Sequence, residues 1–335
     1  MSTRSANPSS PADSQLPRTV VILGARGRLG ASAVDAFASA GWRVVGHCRR
    51  AGDPRGEHMA ARVHTPLDQT ATLAAEIGRA DVVVHAVNPV YTRWAQEALP
   101  LARAGMDLAE RLGARFMLPG NVYHYGHAMP ALLSVDTPAH PDTRKGTIRM
   151  RIEAEMGERA RAGLSCVVLR AGDFFGGGLG SWFDLMLARH AGKGRLVYPG
   201  PTDRVHAWAY LPDLADALAR LAGSPLAPGL QCFHFAGHAP TGDQMLDAIE
   251  SAAHRLGLGP KTRFKRGGVP WPMIRLAGLV APMAREIAEM AYLWQQPHAL
   301  DDTELRDMIG APTETPLADA VTSALAALQL AHRAG

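Results

Sequence analysis

The sequence predicts an α/β protein built on a doubly wound parallel sheet. Three observations support this class: short apolar runs alternate with amphipathic segments, the first run ends in a glycine-rich turn, and 47% of the 335 residues are apolar. Strands that are buried on both faces appear as continuous apolar runs, so these runs indicate parallel strands covered by helices. Right-handed connections then distribute the helices over the two faces of the sheet.

The predicted strands are six apolar runs, at 19–23, 42–46, 81–85, 115–118, 164–169 and 231–236. Helical periodicity predicts helices at 29–41, 68–77, 94–112, 148–161 and 212–220. After Arg170 the alternation breaks into a glycine loop at 176–180, a helix at 182–189 and an extended stretch at 204–210. From Gly242 onward the pattern is mostly helical.

Composition excludes several classes of function. The net charge of +4 is small for this length and the basic residues are spread along the chain, so no nucleic-acid partner is predicted. The densest basic cluster, at 261–266, is interpreted as a solvated edge. The three cysteines lack the spacing of a disulfide framework or a metal site, and no metal is predicted. No apolar run is long enough for a membrane span and no signal peptide is visible, so we expect a cytoplasmic protein.

The first strand is followed by the turn Gly24-Ala-Arg-Gly-Arg-Leu-Gly30, which leads into a helix. Glycines in this context allow a tight turn, a close approach of backbone N–H groups to a pyrophosphate, and close packing of helix on strand. The N-terminus of the helix also favours an anion. The turn therefore predicts a dinucleotide site, whose contacts are Gly24, Arg26, Gly27, Arg28, Leu29 and Gly30.

The end of the second strand indicates which dinucleotide is bound. An enzyme that uses NAD would place a carboxylate there for the ribose hydroxyls, but the sequence is Gly46-His-Cys-Arg-Arg50. Arg49 or Arg50, joined by Arg26, could pair with a 2′-phosphate instead. NADP is therefore favoured over NAD as the cofactor. A solvent-facing arginine pair without a ligand is the alternative.

The glycine spacing and five further segments resemble the extended short-chain dehydrogenase/reductase family, which contains the NAD-dependent epimerases and dehydratases. The segments follow that family's order and are His85-Ala-Val-Asn88, 122–126, 169–176, 210–213, and 300–310 with 315–317. The resemblance implies a Rossmann domain at 18–170 plus about 201–237, after a tail at 1–17 that we expect to be disordered. It implies a smaller, mostly helical C-terminal substrate domain at 171–200 plus 238–335. It adds Asp68, Ala86 and Asn88 to the cofactor contacts.

The catalytic Ser-Tyr-Lys set of that family is replaced in this chain. Residue by residue, the serine position is Pro119, the tyrosine position is Lys145 and the lysine position is Arg149. Arg149 can still donate to the nicotinamide ribose, but it cannot relay a proton. Lys145 could act as an acid only with a lowered pKa, and could equally anchor a substrate carboxylate or phosphate. Arg149 and Glu153 could also form a simple i,i+4 ion pair.

Other candidates for catalysis and substrate binding follow the predicted strands. Tyr123 and Tyr125 join Lys145 and Arg149 as catalytic candidates, and the neighbouring His124 or His127 could titrate near neutral pH. The predicted substrate contacts are Asn121, Asp173 and Trp182, and the segments 182–183 and 283–294 are predicted to cover the pocket.

The sequence thus predicts an NADP(H)-dependent oxidoreductase or epimerase-like enzyme with an atypical active site. Its partner would be a small molecule that carries a carbonyl or hydroxyl group, such as a nucleotide sugar or an anion, and the chain could form a homodimer. A non-catalytic NAD(P)-binding sensor is the main alternative. An isomerase or lyase for an anionic substrate is the third.

Overall fold

The computed structural model describes residues 17–49 and 58–334 of the chain. Residues 1–16 of the predicted tail and Arg50 lie outside this part. The described strands are β1 (Thr19–Leu23), β2 (Arg43–His47), β3 (Ala61–Val63), β4 (Val82–His85), β5 (Arg115–Gly120), β6 (Leu132–Leu133), β7 (Cys166–Ala171), β8 (Asp173–Phe175), β9 (Arg195–Tyr198), β10 (Trp208–Tyr210), β11 (Leu230–Phe235), β12 (Lys265–Gly268) and β13 (Ala299–Leu300).

The described α-helices are α1 (Arg28–Ser39), α2 (Thr70–Ile77), α3 (Trp94–Leu112), α4 (Arg144–Arg161), α5 (Leu211–Gly223), α6 (Gly242–Arg255), α7 (Trp271–Ala277), α8 (Pro282–Glu289), α9 (Thr303–Ile309) and α10 (Leu317–Ala334). Short helical turns lie at Tyr91–Arg93, Tyr123–Tyr125, Phe183–Leu187, Ala191–Lys193 and Met290–Trp294.

Seven strands form one parallel sheet in the order β11-β7-β5-β4-β1-β2-β3. Val21 at the centre of β1 is paired with Val45 on one side and Val83 on the other. The chain runs outward from β1 to β3 and then returns to β4, so the strand order reverses between β1 and β4. Ligands of open α/β sheets bind in the crevice that such a reversal creates at the carboxyl ends of the strands.

Helices cover both faces of this sheet. Leu73 of α2, Met106 of α3 and Ile152 of α4 are buried in the core on one face. Phe37 of α1 and Leu218 of α5 are buried in the core on the other. The predicted doubly wound fold is confirmed, because every strand of the sheet except β3 has apolar side chains in the cores on both faces.

The local predictions differ from the structure in four places. The strand β3 was not predicted, because three residues are too few to show a pattern. The helix α4 begins four residues before the predicted start, since the Thr143 side chain caps it by accepting a hydrogen bond from the Gly146 N–H at 3.0 Å. The helix predicted at 182–189 is a π-helical turn over Phe183–Leu187, and the one predicted at 283–294 is α8 followed by a 3-10 turn.

A third apolar core lies beside the sheet. It includes Phe183 and Leu196 from the stretch 171–200, Trp208 from β10, and Met245 and Val321 from the C-terminal helices. Three two-stranded sheets accompany the large sheet, namely β8 with β10, β9 with β12 and β6 with β13. None of the described helices is both long enough and apolar enough to cross a membrane.

Candidate functional site

A cavity of about 620 Å³ lies at the carboxyl ends of β4, β5 and β7, next to the first turn of α1. Its inner part is lined by the turn and strand-end residues Gly27, Arg28, Leu29, His85, Ala86, Asn88, Gly120, Asn121 and Gly172. Its outer part is lined by residues of the third core and of α8. This is the crevice that the strand reversal predicts.

The glycine turn packs directly against the end of β4. Gly24 has a φ of +79°, and a Cβ atom added there would lie 3.0 Å from the Ala86 carbonyl oxygen. A Cβ atom at Gly30 would lie only 2.0 Å from the Gly24 oxygen, so no side chain fits at the close contact between α1 and the turn. Gly27 is the N-cap of α1 and lines the cavity. This cradle fits a dinucleotide pyrophosphate, because it leaves the backbone and the helix N-terminus open to an anion.

The polar residues around the cradle have different positions. Arg49 follows β2 and is exposed, while Arg26 is half-buried within the turn. Arg50 lies outside the described residues. Asp68, which the sequence analysis placed among the cofactor contacts, is exposed just before α2 and does not line the cavity. Ala86 and Asn88 do line it.

Arg149 extends from α4 into the cavity. The residue is only 8% exposed, its Nε atom has no hydrogen-bond partner among the described residues, and its guanidinium carbon lies 5.6 Å from the Trp94 ring centroid. The i,i+4 pair with Glu153 does not form, because Glu153 accepts a hydrogen bond from Arg170 at 2.7 Å. Burial lowers the pKa of Arg149. A buried guanidinium without a protein partner is a binding group for a polar or anionic ligand.

Lys145 is one turn earlier on α4 but is turned away from the cavity. It is 1% exposed, and its ammonium is paired with Glu286 and, at 2.9 Å, with Glu289 of α8. The Nζ atom also lies 5.0 Å from the Tyr91 ring centroid. Burial opposes ionisation of Glu286, but hydrogen bonds from Lys145 and Arg144 outweigh it and lower the pKa of that carboxyl. We therefore do not assign the proton-donor role to Lys145.

Two tyrosine hydroxyls meet inside the cavity. The hydroxyl oxygens of Tyr91 and Tyr123 are 3.1 Å apart, and both residues line the cavity. Burial raises the pKa of Tyr91 and raises that of Tyr123 well above its ordinary value, so both hydroxyls stay protonated at neutral pH. Tyr123 is one of the candidates predicted from the sequence, and Tyr91 is not. The available signal was its position three residues after Asn88, in the loop that follows β4.

Tyr125 lies behind the cavity wall in a buried network. Its oxygen accepts a hydrogen bond from Arg170 at 3.1 Å. His234 donates a hydrogen bond from Nδ1 to the Leu133 carbonyl at 3.0 Å. Its Nε2 atom therefore accepts a hydrogen bond from the Tyr125 hydroxyl at 2.9 Å. Burial raises the pKa of Tyr125 to about 12. The Tyr125 hydroxyl is thus hydrogen-bonded within the protein, and Tyr125 does not line the cavity.

The two histidines of the same loop also lie outside the cavity lining. His124 is buried, neither ring nitrogen has a partner among the described residues, and burial lowers its pKa to about 4. His127 is exposed and pairs with Asp142 at 2.7 Å. The fold thus separates His124 and His127 from the residues that contact a ligand in the cavity.

The predicted substrate contacts all line the cavity. Asp173 is bound to His206 Nε2 at 2.9 Å, and the imidazole of His206 is stacked on Trp294. The Asn121 side-chain oxygen accepts from the Tyr123 N–H at 3.1 Å, which leaves its amide nitrogen free to face a ligand. The outer wall is apolar and consists of Leu179, Trp182, Leu185, Met186, Met283 and Ile287. Met283 and Ile287 belong to the segment predicted to cover the pocket.

Fold and site together define a Rossmann-type enzyme that uses a nicotinamide dinucleotide. The comparison with protein families is more specific, since the model of the NAD dependent epimerase/dehydratase family matches residues 20–229. The chain belongs to that family. A search of the curated proteins found no match to the sequence.

Solved structures of the same fold cover nearly the whole chain. The enzyme WbmH of Bordetella bronchiseptica, solved with NAD+, is 18% identical with a TM-score of 0.68 over 93% of this chain and 98% of its own. The UDP-glucose 4-epimerase of Thermotoga maritima, solved with UDP-glucose, is 15% identical with a TM-score of 0.70 over 94% and 99%. The UDP-Glc/GlcNAc 4-epimerase of Campylobacter jejuni is 13% identical with a TM-score of 0.69 over 93% and 99%. At these identities the likeness is one of fold.

Proposed function

We propose that the protein is an NADP(H)-dependent oxidoreductase or epimerase-like enzyme that acts on a carbonyl or hydroxyl group. The observation that carries the proposal is the content of one cavity: the glycine cradle, the unpaired guanidinium of Arg149 and the paired hydroxyls of Tyr91 and Tyr123. A nicotinamide, when bound, supplies hydride exchange with a substrate carbon. The remaining chemistry is the movement of one proton at the substrate oxygen.

The Tyr91–Tyr123 pair is suited to that proton transfer. With a raised pKa each hydroxyl is a proton donor at neutral pH, so Tyr123 can give its proton to the substrate oxygen and recover one from Tyr91. Either tyrosine could also donate directly, with the other as its hydrogen-bond partner. The charge of Lys145 over the Tyr91 ring and the nearby charge of Arg149 both favour the phenolate that develops.

Arg149 has the binding role in this proposal. Its buried N–H groups can donate to cofactor or substrate oxygens, and they cannot release a proton. Asn88 and Asn121 add neutral hydrogen bonds at the ends of β4 and β5, where they line the same cavity. These residues would orient the reactants, while the tyrosine pair would act on the reacting oxygen.

The preference for NADP rests on the end of β2. Arg49 is exposed there and no carboxylate occurs in the stretch 46–50, so a 2′-phosphate would find cations and no competing anion. We expect Arg49→Ala to weaken NADPH at least about tenfold more than NADH, measured by fluorescence titration. Arg43→Ala is the matched control, because Arg43 is exposed at the other end of the same strand. An equal loss for the two cofactors in Arg49→Ala would refute the 2′-phosphate contact.

We propose a substrate with an apolar body in preference to a nucleotide sugar. Among the described lining residues the cations are Arg28, in the first turn of α1, and Arg149, whose role is assigned above. The outer wall instead carries Leu179, Trp182 and Met283, and the Asp173 carboxylate would repel a diphosphate. NADPH oxidation by apolar ketones and aldehydes, compared with nucleotide sugars under the same conditions, tests this choice. Faster turnover of a nucleotide sugar would contradict it.

A non-catalytic NADP(H) sensor is the second candidate. It is favoured by Pro119, which offers no hydroxyl at the family's serine position, and by the ion pairs that hold Lys145 away from the cavity. The two candidates differ in one measurement. Tight NADPH binding without turnover of any ketone, aldehyde, alcohol or nucleotide sugar would favour the sensor, and turnover of one of them would exclude it.

A further inference from the structure

The stretch between Glu250 and Glu286 contains no acidic residue. The 35 positions 251–285 hold seven lysines and arginines and no Asp or Glu, whereas the whole chain has a net charge of only +4. Positive charge is therefore concentrated in this stretch. It contains β12, α7 and the first half of α8.

The helices α7 and α8 form a hairpin with a protruding apolar tip. Gly278 is where they approach each other, since a Cβ atom there would lie 3.0 Å from Arg285 Cα and 3.2 Å from the Arg275 oxygen. Beyond this contact the tip residues Leu279 and Val280 are 77% and 88% exposed. Met273 and Leu276 on α7 are exposed as well, and their spacing puts them on one side of that helix. The hairpin thus presents a convex aliphatic surface.

Two arginines flank this surface with their charges unpaired. Arg275 and Arg285 are exposed, and within the described part of the chain neither forms an ion pair with a carboxylate. Arg266 from the same basic stretch is different, because it is paired with Asp243, Asp247 and Glu250. The charges of Arg275 and Arg285 are therefore available to an outside partner, whereas Glu286 and Glu289 of α8 are paired with Arg144 and Lys145.

We propose that the α7–α8 hairpin docks on an anionic lipid surface. Apolar side chains that protrude between cationic ones bind at the boundary of headgroups and acyl chains, where both kinds of residue gain free energy. The tip has no aromatic anchor of the kind that is enriched in protein interfaces. A second copy of the chain would bring like charges together across a two-fold interface. A lipid surface fits both the shape and the charge.

The hairpin also borders the cavity. Met283 and Ile287 of α8 line it, and Met283 is itself exposed, so apolar surface continues from the tip to the cavity. If the proposed enzyme takes an apolar substrate, docking would bring the cavity close to the lipid bilayer, where such a substrate is concentrated. That advantage depends on the proposed function, because it requires an apolar substrate. The docking itself requires no turnover, so its test is independent.

The test is co-sedimentation of the full chain with vesicles. We expect binding to phosphatidylcholine vesicles that contain about 30 mol% phosphatidylglycerol, and binding about tenfold weaker to phosphatidylcholine alone. Leu279→Ser with Val280→Ser should reduce binding to the anionic vesicles about tenfold or more, because the inserted apolar surface is lost. Arg275→Glu with Arg285→Glu should abolish the preference for anionic vesicles. Leu132→Ser, which removes a leucine of β6 that is 59% exposed, should leave binding unchanged.

Three outcomes would overturn the proposal: no binding to the anionic vesicles, equal binding by wild type and both hairpin variants, or an equal loss in Leu132→Ser. A dimer in sedimentation equilibrium that Leu279→Ser with Val280→Ser converts to a monomer would assign the surface to a second copy instead. Unchanged thermal unfolding and NADPH binding in the variants would show that the fold and the cofactor site are intact. Loss of vesicle binding with NADPH binding retained separates this result from a failure of the proposed function.

Discussion

Polar side chains that line the cavity differ from those that point into the protein in how many hydrogen-bond and ion-pair partners the protein gives them. On α4, Arg149 enters the cavity without a protein partner for its Nε, while Lys145, one turn earlier, is paired with two carboxylates of α8. The loop after β5 repeats the pattern: Tyr123 faces the cavity, and Tyr125 belongs to a network with Arg170 and His234. Arg149 and Tyr123 line the cavity, where a ligand can contact them, whereas Lys145 and Tyr125 bond to other groups of the protein.

Lys145 and Arg149 are both cationic residues of α4, but their surroundings give one a role in packing and leave the other available for binding. Lys145 stabilises the contact between α4 and α8, and removing it leaves Arg144 as the cationic partner of Glu286 and Glu289. Arg149 is held at a free-energy cost to the empty protein, because its buried charge lacks a full set of partners. A residue of the first kind should affect folding when it is replaced, and one of the second kind should affect binding.

The largest effect should come from the cavity-facing tyrosine. Tyr123→Phe removes the proposed proton donor and should lower the turnover number by about 10²- to 10⁴-fold, the usual contribution of a general acid. The folded protein should bind NADPH as before. Tyr125→Phe is the matched control and should cost about 1 kcal/mol of unfolding free energy, with little change in turnover. Steady-state kinetics and denaturant unfolding of both variants measure the turnover number and the unfolding free energy. Equal losses of turnover in the two variants would contradict a special role of Tyr123 in proton transfer.

The second effect concerns stability. Lys145→Met leaves Glu286 and Glu289 without their ammonium partner, so the free energy of unfolding should fall by about 3 kcal/mol in urea denaturation. Adding Glu286→Gln and Glu289→Gln to this variant should recover part of the loss, since neutral amides replace two carboxylates whose remaining cationic partner is Arg144. An unchanged stability together with a lost turnover would return Lys145 to the list of catalytic residues.

The third effect concerns ligand binding, with no loss of stability. Arg149→Met removes a buried charge that lacks a protein partner, so the empty protein should unfold at an equal or higher urea concentration than wild type. Binding of NADPH or substrate should weaken by about 1.5 to 3 kcal/mol, the range for a hydrogen bond to a charged group. Isothermal titration calorimetry measures the second quantity. If Arg149→Met instead destabilises the empty protein as much as Lys145→Met does, the two positions share one structural role.

The smallest effect is a dependence of stability on pH. Burial lowers the pKa of His124 to about 4, below its ordinary value of about 6.5, so the folded protein resists a proton that the unfolded chain accepts. Stability should therefore fall as the pH is lowered from about 6.5 towards 4, and His124→Gln should make this fall shallower by about 1 kcal/mol at pH 5.5. Urea unfolding at pH 7 and pH 5.5 measures the difference. Parallel curves for the variant and the wild type would mean that His124 is protonated in the folded state.

The features that could be predicted from the sequence are those that depend on residues close together along the chain. The apolar runs predicted six strands of the sheet, and the glycine turn between β1 and α1 was predicted because its tight geometry depends on a few adjacent residues. The family followed from the same motifs in their order. The candidates that line the cavity, among them Asn88, Asn121 and Asp173, could be predicted because the ends of parallel strands meet at one edge.

Which of the candidate site residues line the cavity could be seen only in the folded structure. Lys145 and Arg149 are equivalent in the sequence, and they are separated by Glu286, which is 141 residues from Lys145 along the chain. Tyr91 was not among the predicted candidates, because its pairing with Tyr123, which follows a different strand, forms only in the fold. Side-chain direction depends on contacts between distant segments, and periodicity within one segment carries no information about them. The protruding tip of the α7–α8 hairpin belongs to the same class, since exposure is a property of the folded chain.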